Sequence, residues 1–87
     1  MAKNEIEVNK VVELMDNVLS DNSVPRNIRR AVDEAKIKIR TKLDSTNLGG
    51  ALYLLDDISN DINMPSHTRT EIWGIISELE ALKEKVK

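Results

Sequence analysis

The sequence predicts an all-α fold, in which four antiparallel helices built from two repeated α-hairpins form a single four-helix bundle over residues 1–87. Three observations lead to this prediction. Apolar residues recur three and four positions apart along four segments, the spacing of one helix face. Stretches of turn-forming residues separate the segments. The second half of the chain also repeats the first at an offset of 40 residues.

The repeat is visible as identical residues 40 positions apart. Five such pairs fall between positions 14 and 32 of the first copy: Leu14/Leu54, Asp16/Asp56, Asp21/Asp61, Pro25/Pro65 and Arg29/Arg69. Five further pairs are apolar in both copies: Met15/Leu55, Val18/Ile58, Val24/Met64, Val32/Ile72 and Ile39/Leu79. A period of about 40 residues that contains two helical segments is typical of an α-hairpin repeat.

The first hairpin is expected to contain a helix over about residues 4–20 and a second over about 25–43. Asn4 and Glu7 form a capping pattern at the start of the first helix. Pro25 opens the second, where its missing N–H costs nothing. The residues expected to face the core are Val8, Val11, Val12, Met15, Val18 and Leu19, followed by Ile28, Ala31, Val32, Ala35, Ile39 and Leu43.

The second hairpin is expected to contain helices over about residues 48–61 and 65–85. The stretch "DSTNLGG" at 44–50 is expected to break the chain between the hairpins, and Pro65 to open the last helix. The residues expected to face the core are Leu48, Ala51, Leu52, Leu55, Ile58 and Ile62, followed by Ile72, Ile75, Ile76, Leu79, Leu82 and Val86.

Arg29 and Arg69 fall near the edge of the core face of their helices. From there each guanidinium is expected to reach back to the acidic residue of the preceding turn, Asp21 or Asp61. Such a charge-assisted pair would fix the angle between the two helices of a hairpin. We therefore expect a structural role for both arginines.

The segment "LMDNVLSDNSVPRNIRRAV" resembles the HEAT-type helical repeat, with Asp in the turn and Pro at the start of the second helix. The second copy, "LLDDISNDINMPSHTRTEI", departs from that pattern by placing Thr68 where an aliphatic residue would stand. Two hairpins are too few for a solenoid, so we expect a closed bundle. The whole chain, through "VPRNIRRAV" and "NMPSHTRTEIW", also resembles a family of small archaeal proteins catalogued as uncharacterised. That resemblance implies a helical bundle in an archaeal cytoplasm, and it brings no activity, cofactor or catalytic residue to this chain.

The composition argues against several classes of site. The chain has no Cys, so it can form neither a disulfide nor a thiolate metal site. Its polar start lacks an apolar signal sequence, and no run approaches the roughly 18 apolar residues of a membrane span. We therefore expect a soluble, cytoplasmic protein. His67, the one histidine, is expected at the surface, and no nucleophile, base and oxyanion donor come together as a catalytic set.

Three acidic residues near the end of the third helix form a weak candidate for a metal site. Asp57 and Asp61 would share a face with spacing i, i+4, near Asp56, and one or two carboxylates can hold a hydrated Mg²⁺. The alternative is a solvated polar face together with a turn aspartate. The sequence favours that alternative, so we expect no metal and no cofactor.

Charge is distributed unevenly along the chain. Residues 25–43 carry seven basic and two acidic residues, whereas residues 1–24 have a net charge of −3 and residues 44–64 of −4. The second helix could therefore contact nucleic-acid phosphates, or it could complement its acidic neighbours or another subunit. The net charge of −2 favours the second interpretation. The possible phosphate-contact face consists of Arg26, Arg29, Arg30, Lys36 and Arg40.

A second face of the fourth helix carries no charge in a chain that is 32% charged. It consists of Thr70, Trp73, Gly74, Ser77 and Ala81. Small residues around Trp73 suggest contact with another helix, and a glycine in mid-helix costs about 1 kcal/mol relative to alanine. One interpretation is a dimer interface. The other is that the fourth helix buries a wider arc inside its own bundle. Tyr53 also falls outside the core positions of its helix.

On function, the sequence favours a non-enzymatic protein–protein interaction module or a small homo-oligomer. The alternative is a nucleic-acid-associated protein that binds RNA phosphates through the basic helix at 25–43. Composition and spacing name no partner for either hypothesis.

Overall fold

The computed structural model describes residues 3–86, and the side chains of residues 6–86. It contains four helices, α1 (Lys3–Leu19), α2 (Arg26–Thr41), α3 (Ser45–Ile58) and α4 (Ser66–Lys85), and no strand within the described range. Helix α1 packs against α2 and α4, and α3 packs against the same two helices. The contact between α1 and α4 closes the bundle, so the predicted all-α fold is confirmed and the hairpins do not stack as an open solenoid.

A short turn and a contact between side chains show that neighbouring helices run in opposite directions. Only six residues, 20–25, separate α1 from α2, so α2 runs back along α1. Between the first and last helices, Lys85 near the end of α4 pairs with Glu7 near the start of α1. The result is an elongated bundle with extents of 36 × 21 × 19 Å.

The core is aliphatic, and the two copies contribute equivalent residues to it. All five apolar pairs noted in the sequence are buried, including Met15 with Leu55 and Val32 with Ile72. Val24 and Met64, which precede the two prolines, are buried as well and close the turn end of the core. The 3.6-residue periodicity therefore identified most of the buried positions, because a helix buried along one side must repeat its apolar residues at that interval. Six of the predicted core residues are only partly buried: Val8, Leu19, Leu43, Leu52, Ile76 and Val86.

The turns within the two hairpins have the same hydrogen bonds. Asp21 Oδ1 accepts the N–H of Ser23 at 2.9 Å, and Asp61 Oδ1 accepts the N–H of Asn63 at 2.8 Å. In each turn the aspartate therefore folds the chain back through its side chain. Pro25 and Pro65 are the N-cap residues of α2 and α4, one position before the first helical residue.

The connection between the hairpins is shorter than expected, because α3 begins at Ser45 rather than near residue 48. The Asp44 carboxylate accepts the N–H of Asn47 at 2.7 Å and so caps the helix. Gly49 and Gly50 consequently lie inside α3. The atoms nearest to a Cβ at Gly50 would belong to the flexible Lys38 side chain of α2, with Cδ at 3.3 Å.

The expectation that Ile62 faces the core is wrong. Helix α3 ends at Ile58, and Ile62 lies in the following turn with 91% of its surface exposed. Conversely, Thr68 is fully buried at the position equivalent to Ile28, and its Oγ1 has no hydrogen-bond partner among the described residues. The capping side chain proposed for Asn4 lies outside the described side chains, and α1 already includes Lys3.

Candidate functional site

Arg69 stabilises the second hairpin turn through carbonyl groups. Its partly buried guanidinium donates to the carbonyl oxygen of Ser59 at 2.7 Å and to that of Asp61 at 2.9 Å. The expected pairing with the Asp61 carboxylate is therefore wrong. That carboxylate instead accepts a hydrogen bond from Asn27 Nδ2 at 2.9 Å, besides the N–H of Asn63.

The two hairpins exchange equivalent contacts at their turn ends. Asp61 in the second turn is bonded by Asn27 of α2, while Asp21 in the first turn lies 2.8 Å from Nε2 of His67 in α4. Positions 27 and 67 are themselves 40 residues apart. These pairs were not predicted from the sequence. A usable signal was present, because both copies of the repeat have a polar residue in the first helical turn and an aspartate in the hairpin turn.

These contacts lower the pKa of both aspartates. The Ser23 hydroxyl, followed by His67 and the Ser23 N–H, lowers the pKa of Asp21 from 3.8 to about 2. Hydrogen bonds from Asn27 and then from the Asn63 N–H lower the pKa of Asp61. Both groups are therefore carboxylates at neutral pH, and each acts as an acceptor between the two hairpins.

The structure divides the possible phosphate-contact face into three parts. Lys36 pairs with Asp16 of α1 at 2.6 Å. Arg40 is exposed near the end of α2, beside a separate depression that includes Val8 and Leu43. The remaining three residues, Arg26, Arg29 and Arg30, line one open depression together with Leu19 and Asp33. Charge complementarity with α1 therefore engages one basic residue of the five, and the three arginines near the start of α2 form a cluster.

The uncharged face of α4 lies on the outside of the bundle. All five of its residues are exposed, and 56% of the Trp73 surface is accessible. A Cβ atom built on Gly74 would have no neighbour within 4 Å. The interpretation that α4 buries this arc within its own bundle is therefore wrong. Tyr53 on α3 is also exposed, as expected.

The acidic residues of the second hairpin do not share the expected face. Because α3 ends at Ile58, Asp61 lies in the turn and Asp57 in the last turn of the helix. In the part of the chain that the structure describes, no three His, Cys, Asp or Glu side chains are grouped so that they could hold a metal ion. Nor does any described helix have the length and apolar character to cross a membrane.

Known proteins resemble this chain along most of its length. A UPF0147 protein of Methanocaldococcus jannaschii is 48% identical over 80 residues, which are 88% of this chain and 86% of that protein. A UPF0147 protein of Sulfurisphaera tokodaii is 40% identical over 86 residues and covers 93% of each chain.

Two crystal structures share the fold. The first, of a protein of unknown function designated MMP1188, is 43% identical with a TM-score of 0.79, over 85% of this chain and 86% of that one. The second, from Thermoplasma acidophilum, is 34% identical with a TM-score of 0.83, over 91% of this chain and 95% of that one. That protein is described as a member of the uncharacterised family UPF0147. The profile of the same uncharacterised protein family, UPF0147, matches residues 1–82, and the chain therefore belongs to the UPF0147 family.

Proposed function

We propose that this protein is a non-enzymatic interaction module, and that the outer face of α4 pairs with the same face of a second copy. The observation that carries the proposal is the exposure of Trp73 on a helix face without charge. Exposed aromatic residues surrounded by small ones are typical anchors of protein interfaces. A two-fold pairing places the same face on both sides of the contact, which is the commonest arrangement in small oligomers.

Gly74 supports a second backbone as the occupant of this face. Glycine in mid-helix costs about 1 kcal/mol relative to alanine. The described part of the bundle does not require it, because a Cβ atom at this position would meet no described atom within 4 Å. In a dimer, the absence of a side chain would let the Trp73 ring of the partner lie against the helix backbone. The pairing would also add buried apolar surface to a small core.

The hydrogen-bonded group at the turn end supports the non-enzymatic part of the proposal. Ser23, Asp21 and His67 are connected, but Asp21 stands between the other two. Its carboxylate accepts the Ser23 hydroxyl at 2.7 Å and lies 2.8 Å from His67 Nε2. In a catalytic triad the histidine contacts the serine and removes its proton. Here the serine proton is directed at the aspartate, so the hydroxyl is not activated. The proposal also places the protein in the cytoplasm, and a chain without Cys is compatible with that reducing compartment.

Light scattering coupled to size exclusion tests the proposed dimer. At high micromolar concentration we expect twice the mass of one chain for the wild type and the mass of one chain for Gly74→Lys, with unchanged helicity by circular dichroism. Ile37→Lys is the matched control, since it places the same charge on an exposed apolar position of α2, equivalent to Ser77 of α4. This control should remain dimeric. A wild-type mass of one chain would refute the proposal.

A further inference from the structure

We propose that the open depression between the end of α1 and the first turns of α2 binds the phosphates of a nucleic-acid backbone. This inference is independent of the α4 interface. The depression has a volume of about 440 Å³ and is lined by Leu19, Arg26, Arg29, Arg30 and Asp33. The four α2 residues are spaced three and four apart, so they lie on one face of the helix. Three guanidinium groups and one carboxylate give the lining a net charge of +2.

The arginines of this depression form no ion pair within the described part of the chain. Among the side chains that the structure describes, no carboxylate lies within ion-pairing distance of Arg26, Arg29 or Arg30. This distinguishes them from Lys36, which is paired with Asp16. Guanidinium groups offer planar pairs of N–H donors that match phosphate oxygens. The cluster can therefore bind an oxyanion without breaking an existing ion pair.

Arg29 provides the strongest indication of a ligand. Its counterpart in the second copy, Arg69, donates to two carbonyl oxygens of the hairpin turn. The Arg29 side chain instead lines the depression, and its Nε is buried without a hydrogen-bond acceptor among the described residues. A buried donor without an acceptor is unfavourable. A phosphate in the depression would favour a turn of the guanidinium that brings this donor to a phosphate oxygen.

The start of α2 adds to the preference for an anion. Pro25 provides no capping side chain, and the first turn of α2 contains no acidic residue, so the positive end of the helix dipole is not neutralised there. Helix α4 begins in the same way, but Ser66 and Thr70 replace Arg26 and Arg30. The second copy therefore lacks the cluster, and the proposed site belongs to the first copy alone.

The lining favours a nucleic acid over an acidic protein. Protein interfaces are centred on buried aromatic or large apolar anchors, and the one apolar residue here, Leu19, is already partly covered by the bundle. An open depression suits a backbone that passes across it. Because the whole chain has a net charge of −2, attraction is local, and we expect affinity to decrease steeply with salt.

The test measures the fluorescence anisotropy of a labelled, unstructured 20-nucleotide RNA between about 20 and 200 mM KCl. Three phosphate contacts to a single strand predict a slope of about −2 for log K against log salt concentration. Arg26→Gln and Arg30→Gln should each weaken binding roughly fivefold to tenfold at the lowest salt and reduce that slope by about 0.7. Both residues are exposed, so the variants should retain wild-type circular dichroism spectra.

Arg40→Gln is the matched control, because it removes the same charge from the same helix outside the depression. We expect it to change affinity by less than about twofold. Three results would overturn the proposal: no binding of wild type at about 20 mM KCl, an equal loss in Arg40→Gln, or equal competition by a polyglutamate peptide of the same length. The last result would show that the arginines bind carboxylates of an acidic protein.

Discussion

Nε2 of His67 lies 2.8 Å from Oδ2 of Asp21, 46 residues earlier in the chain, and this contact joins the first turn of α4 to the turn that follows α1. Asn27 and Asp61 form the equivalent contact between α2 and the turn that follows α3. Each hairpin therefore supplies the acceptor for the other. The stability of the turn end depends on both carboxylates being ionised.

Acid should destabilise the bundle through Asp21. The folded pKa of Asp21, about 2, is below its ordinary value of 3.8, so the native state binds the proton less readily than the unfolded chain. The resulting stabilisation is complete above about pH 4 and is lost as the pH falls towards 2. Urea unfolding between pH 6 and pH 2 should show a shallower decrease in Asp21→Asn than in the wild type. Identical pH profiles would contradict this prediction, and Asp57→Asn is the control with an exposed carboxylate.

Replacement of Thr68 by valine should stabilise the protein by about 1–2 kcal/mol, because a buried hydroxyl without a partner pays its desolvation without compensation. Thr68 is fully buried and its Oγ1 is unpaired among the described residues. Thermal and urea unfolding measure the effect. The same change at Thr70, which is exposed, should stay within about 0.5 kcal/mol. A loss of stability in Thr68→Val would show that the hydroxyl has a partner in solution.

Leu55 inside α3 and Ile62 in the turn that follows it should respond very differently to truncation. Leu55 is fully buried, and Leu55→Ala should cost about 2–5 kcal/mol through the lost apolar contacts and the cavity. Ile62→Ala removes a side chain that is 91% exposed and should change the free energy of unfolding by less than about 0.5 kcal/mol. Urea titrations of both variants test the prediction. Comparable losses would mean that residue 62 is covered in solution.

Arg29 and Arg69 should also differ, although they occupy equivalent positions. Arg69→Met removes two charge-assisted hydrogen bonds to turn carbonyls and should cost about 2–3 kcal/mol. Arg29→Met removes a guanidinium whose Nε has no acceptor among the described residues, and should cost less than about 1 kcal/mol. Chemical denaturation of the two variants gives the comparison. Equal losses would indicate that Arg29 contacts the first turn in solution as Arg69 contacts the second.

Most of the core could be predicted from the sequence, because a helix buried along one side has apolar residues three and four positions apart. Met15 and Leu55 are examples of such residues. It misplaced the start of α3 because Gly49 and Gly50 have low helix propensity, whereas the Asp44 cap and the contact with α2 outweigh that preference. The partners of Arg69 could not be inferred from charge alone. Carbonyl oxygens and a carboxylate lie in the same turn, and the fold determines which of them the guanidinium reaches.

The clustering of Arg26, Arg29 and Arg30 was predictable in part, because their spacing places them on one helix face. The separation of Lys36 and Arg40 from that cluster was not. This separation depends on where α1 lies beside α2. Asp16 of α1 forms an ion pair with Lys36, and Leu19 of α1 lies beside the arginines near the start of α2.

The exchange of contacts between the hairpins has a consequence for how this chain can vary. Each copy of the repeat completes its interior against the other copy, so a substitution in one half of the core is met by residues of the other half. The outward faces of the two copies do not pack against each other, so their residues can differ. One copy carries a trio of arginines where the other carries Ser66, Arg69 and Thr70, and the second presents Trp73 where the first has Asp33. A duplicated interior thus supports two unlike exteriors, one with a group of arginines on α2 and one with an exposed tryptophan on α4.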